Sequence, residues 1–131
     1  MAEEKNFENR VKAFLADHGC FFIKYLGSGM TKAGVPDLLV CCNGYFLGVE
    51  IKATHGTPRK LQYIKLGQIV EANGYGFLLY PKDYECFKHF VIEVINGTDP
   101  ADLIESGAVD PLILNWYGKY KELKEESEVI E

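Results

Sequence analysis

The sequence predicts an α/β sandwich, a mixed sheet with helices packed against it. Three observations point there. Apolar residues recur at helical spacing near the start, in the middle and towards the end of the chain. Between those stretches lie short runs rich in aromatic and β-branched residues. Two of the runs are separated only by Asn43-Gly44, a strong hairpin signal because both residues tolerate positive φ. The 131 residues are one domain's worth, with an expected core over about 5–81 and a helical extension over about 82–131.

Taken in order, residues 5–18 place Phe7, Val11, Phe14, Leu15 and His18 on one helical stripe, and Gly19 suits the stop. CFFIKYL (20–26) reads as a strand, and GSGMTKAG (27–34) as a mobile glycine-rich connection. Strands follow at about 35–42 and 45–52, apolar on both sides as in the centre of a covered sheet. THGTPRK (54–60) is a loop, 61–73 a helix with Gly67 as a mild weakness, and YGFLLY (75–80) a strand stopped by Pro81. Helices are expected over 83–95 and 111–126, the latter with Leu112, Ile113, Trp116, Tyr117 and Tyr120 on one stripe that reads as core or dimer interface.

Composition excludes several classes of function. No apolar run is long enough to span a bilayer, and the acidic, polar start MAEEKNFENR is unlike a secretory signal, so the expected location is the cytoplasm. Cys20, Cys41, Cys42 and Cys86 form no CxxC pair, which argues against zinc and for small buried thiols kept reduced. GSGMTK lacks the spacing of a phosphate-binding P-loop, which excludes a nucleotide cofactor. The net charge of −5 hides an asymmetry. Residues 5–65 hold nine Lys and Arg against four acids, while residues 66–131 hold five against thirteen. A basic surface facing a polyanion is one reading, and scattered solvated charge is the other.

The hairpin carries the chemistry. A two-residue loop pairs Cys42 with Tyr45, and counting outwards sets Asp37 opposite Glu50 and Val35 opposite Lys52. Opposed side chains lie about 5 Å apart, so two like charges meet. One acid holds a proton, a cation sits between them, or the register shifts. A divalent ion with oxygen ligands is the most economical answer, and the Ile51 carbonyl is a further donor within reach. Lys52 shares a face of its strand with Glu50, where it could orient a water or stabilise charge on phosphorus.

Gly34-Val35-Pro36-Asp37, the Asn-Gly hairpin and Glu50-Ile51-Lys52 resemble the PD-(D/E)xK nuclease superfamily, and within it the virus-type replication-repair nuclease (VRR-Nuc) branch. The likeness runs from about residue 7 to 81, taking in Glu8 of FENRVKAFLADHG and Gln62 of LQYIKLGQIVEANG. It implies a restriction-endonuclease-like core and Mg²⁺- or Mn²⁺-dependent phosphodiester hydrolysis. Glu8, Asp37 and Glu50 would hold the metal with the Ile51 carbonyl, Lys52 would serve the attacking water, and Gln62 would support the site. Gln68 competes for that last role, but six residues along a helix it points some 120° away.

The remaining candidates have two readings each. Glu8 also suits an exposed i,i+4 pair with Lys12. Lys24 either snorkels or contacts phosphate, and Ser28 and Lys32 would line DNA backbone beside it. Arg59 and Lys60 either extend a basic face or are simply solvated. Small members of the family resemble Holliday-junction resolvases, which implies a homodimer on branched DNA, with the C-terminal helices as the expected interface, and a phage origin. The competing expectations are a non-catalytic nucleic-acid-binding module with the same fold, and a nuclease acting on RNA or linear ends.

Overall fold

The computed structural model describes residues 2–26 and 34–130, with side chains to residue 127. Helix α1 (Ala2–Asp17) leads into strand β1 (Phe21–Lys24), then the hairpin β2 (Leu38–Cys42) and β3 (Tyr45–Ile51). Helix α2 (Lys60–Glu71) crosses over to β4 (Tyr75–Leu79). A 3-10 turn (Pro81–Asp83) opens the C-terminal helices α3 (Tyr84–Ile95), α4 (Pro100–Glu105), α5 (Asp110–Ile113) and α6 (Tyr117–Ile130). The strands lie in the order β1-β2-β3-β4; the first three are antiparallel and β4 runs parallel to β3.

The hairpin forms in the expected register. Asn43 and Gly44 take φ of 49° and 87°, the left-handed values that a tight primed turn requires. Cys42 faces Tyr45, and the pairing continues to Leu38 opposite Val49. The ladder therefore stops one residue short of Asp37 and Glu50, leaving both carboxylates at the sheet's open end.

Side-chain alternation divides the core into two clusters. On one face Leu38, Val40, Cys42, Leu47, Val49, Ile51, Phe77 and Leu79 pack under α1 (Phe7, Val11, Leu15) and α3 (Phe87, Phe90, Val91, Val94). On the other, Leu78 meets Leu66 of α2 and Trp116 and Tyr120 of the C-terminal segment. Close approach explains Gly67 there: a Cβ at this position would strike the Tyr120 ring.

Three expectations need correcting. The hairpin strands are not covered on both sides throughout. α2 lies over β3 and β4, with Trp116 and Tyr120 in the cluster around Leu78, so Phe21, Cys41 and Phe46 stay exposed on the other half of that face. Buried thiols are accordingly Cys20 and Cys42, whereas Cys41 is exposed; all four cysteines are free. The helix expected over 111–126 is two, α5 and α6, with Leu114–Trp116 turning between them, although Leu112, Trp116 and Tyr120 still point inwards. Helix α4 was not anticipated, despite a legible start: Asp99 Oδ1 accepts from Ala101 N at 2.9 Å and Pro100 opens the first turn.

Candidate active site

Four elements converge at the C-terminal end of β3. Asp37 enters on the extended residues before β2. Its Oδ2 accepts from the Ile51 amide at 2.8 Å, so the carboxylate takes the backbone partner that the ladder leaves free. Its own carbonyl accepts from Tyr25 N at 2.8 Å, which ties the segment to the end of β1.

Glu50 is 2% exposed. Its Oε2 accepts from Gln62 Nε2 at 2.8 Å and lies 3.5 Å from Lys52 Nζ. Gln62 cannot present its amide the other way round, because its Oε1 accepts from the Arg59 amide at 2.8 Å at the start of α2. The other Glu50 oxygen, Oε1, is buried with no hydrogen-bond partner. Burial pushes the Glu50 carboxyl up to about 8, the Asp37 charge adds to the rise, and Lys52 opposes it.

Glu8, from α1, accepts from Lys24 Nζ at 2.8 Å and lies 3.5 Å from Lys12 Nζ. The Lys24 ammonium also reaches Asp37 Oδ1 at 3.3 Å, bridging the two acids. Burial works against the charge on Lys24, but Glu8 and Asp37 outweigh it and raise its pKa. Among the described residues no group of three or more His, Cys, Asp or Glu side chains is placed to hold a metal ion. Asp37 and Glu50 form a pair, and Glu8 stands across Lys24 from Asp37.

The donor set nevertheless suits a hard divalent cation. An orphaned carboxylate oxygen, buried beside a second carboxylate whose charge it feels, is the arrangement that such an ion would relieve. Asp37, Glu50, Lys52 and Gln62 thus stand together as the sequence led one to expect. Gln68 is excluded as the supporting glutamine: it is exposed and bonded by Lys65 at 3.2 Å. Lys24 is bound to the acids rather than turned outwards, a contact that no spacing rule reveals. Arg59 and Lys60 are exposed at the start of α2, while Ser28 and Lys32 lie outside the described residues.

An acid before one strand, Glu-x-Lys on its hairpin partner and a helix glutamine bonded to the glutamate lie together on a restriction-endonuclease-like core. Residues 2–74 match the archaeal Holliday junction resolvase (Hjc) family, and the chain belongs to it. No curated protein matches the chain. The superfamily is the expected one, and the branch matched is that of the resolvases. No helix among the described residues is long and apolar enough to cross a membrane.

Proposed function

We propose that the chain is a divalent-metal-dependent endonuclease that hydrolyses phosphodiester bonds in branched DNA. The reading rests above all on Glu50, buried beside Asp37 with one oxygen unpartnered while Gln62 and Lys52 fix the other. Asp37, Glu50 and the Ile51 carbonyl would hold Mg²⁺ or Mn²⁺, with Glu8 joining once the Lys24 ammonium moves from between the acids. When bound, the ion would supply charge to the scissile phosphate and lower the pKa of water. Lys52, its side chain only 13% exposed, orients the attacking water and faces charge developing on phosphorus. Gln62 holds Glu50 in one rotamer, and in-line attack leaves a 5′-phosphate and a 3′-hydroxyl. Likeness to the VRR-Nuc branch supports the same chemistry.

Two strands of a junction call for two sites, so we place the active form as a homodimer in the cytoplasm. Trp116 and Tyr120 are buried in the chain's own core, the first of the two readings of the C-terminal stripe. The bare half of the sheet fits better. Phe21, Cys41 and Phe46 lie side by side across β1, β2 and β3. Phe21 is 69% exposed, and the face runs on into a groove of about 670 Å³ beside Pro36, Leu39 and Ile69. A second copy related by a two-fold axis would cover it on both chains.

The test is a substrate panel of four-way junction, flap, duplex, single strand and RNA, each with Mg²⁺, Mn²⁺ or EDTA. Junction cleavage that EDTA stops is the expected result. Tight junction binding with no cutting under metal identifies a non-catalytic module instead, and preference for RNA or linear ends identifies a nuclease of different specificity. Asp37→Ala and Lys52→Ala should abolish cutting while junction binding survives.

A further inference from the structure

Residues 53–59 join the strand that carries Glu50 and Lys52 to the helix that carries Gln62. The segment is fastened at several points. The Thr54 amide and hydroxyl donate to the Glu3 carboxylate at 3.2 and 2.5 Å. Gly56 N donates to the Ala53 carbonyl at 2.9 Å, closing a turn. The Gly56 carbonyl then accepts from the Tyr80 hydroxyl at 2.9 Å. Tyr80 directly follows Leu79, whose carbonyl accepts from the Lys52 amide at 3.0 Å. One end of β4 therefore holds both the backbone of Lys52 and the loop beyond it.

The turn also bounds the Lys52 side chain. A Cβ built on Gly56 would lie 3.4 Å from Lys52 Cδ, at van der Waals contact, so the turn runs alongside the lysine stem. We infer that Tyr80 is a positioning residue for Lys52: its hydroxyl holds the Gly56 turn beside the lysine and so fixes where the ammonium points. Tyr80 lies beyond residues 2–74, so nothing in the matched segment assigns it a part. The inference rests on the proposed nuclease reading, in which Lys52 acts on the attacking water.

Tyr80→Phe removes the hydroxyl and keeps the ring against the cluster of Leu66, Leu78, Trp116 and Tyr120. Losing one hydrogen bond from a positioning contact should lower kcat for junction cleavage about tenfold. KM and junction affinity should stay unchanged, Tm should fall by no more than the few degrees that one hydrogen bond is worth, and amide exchange should speed up over 53–59 but not within α2. Unchanged kcat overturns the inference. So does a loss of kcat that comes with a larger fall in Tm, a rise in KM and faster exchange within α2, because the hydroxyl would then be serving stability alone. Lys52→Ala is the separating control. If it leaves cutting intact, the nuclease assignment of Lys52 fails; if it abolishes cutting while Tyr80→Phe cuts normally, only the role of Tyr80 fails.

Discussion

Glu50 sets the pH behaviour of the site. Its carboxyl is raised from an ordinary value of 4.5 to about 8, chiefly by burial. A proton held more tightly in the folded chain stabilises it fully below the ordinary value, and that stability is lost as pH rises through about 8. In EDTA, Tm should therefore fall between pH 5 and pH 8, and Glu50→Gln should flatten the slope. At pH 8 the glutamine variant should be the more stable by on the order of a few kcal/mol. The same proton opposes metal binding. Calorimetry with Mn²⁺ should show proton release and an affinity that climbs with pH until Glu50 is ionised. The meeting of Asp37, Glu50 and Lys52 was legible because strand pairing reduces to counting along the chain, whereas Gln62 was singled out only by the resemblance to a known family. The Lys24 bridge was not legible, since the meeting of α1 with an edge strand depends on how Phe7, Val11 and Leu15 pack.

At the scale of elements, the hairpin turn controls the register on which the site depends. Gly44 takes a φ of 87°, so Gly44→Ala should cost roughly 1–2 kcal/mol, read by denaturant unfolding. The α2–α6 contact gives a contrasting case. Gly67→Ala would drive a methyl into the Tyr120 ring and should destabilise by about 1–3 kcal/mol, yet leave Mn²⁺ affinity unchanged in whatever fraction stays folded. The strands and first two helices could be read because their apolar periods are long and their turn residues explicit. The C-terminal region defeated the same reasoning. A stripe such as Leu112, Trp116 and Tyr120 keeps facing inwards through a bend, so periodicity alone gave no sign that α5 ends at Ile113.

For the molecule as a whole, charge and exposed apolar surface make separate predictions. The basic bias of residues 5–65 should make junction binding fall steeply with salt and depend little on sequence. With about five phosphate contacts, affinity should drop roughly 10²–10³-fold between 50 and 200 mM salt, measured by anisotropy. Phe21→Asp or Phe46→Asp should shift sedimentation towards the monomer, and cleavage of paired junction strands should lose its coordination before single incisions are lost. The sequence could not disclose the bare half-face, because β1 and β2 look as apolar as β3. Which strands stay uncovered is decided by the packing of α2 across β3 and β4, with α6 seated on α2.

The position of Cys41 has a practical consequence. Of the three aligned positions at the middle of that half-face, the central one bears a thiol, flanked by two aromatic rings, while Cys20 and Cys42 are shielded within the fold. With Cys86, a free and only half-buried thiol, replaced by serine, a maleimide dye would footprint the sheet directly. Rapid labelling that slows with protein concentration would report occlusion by a neighbour.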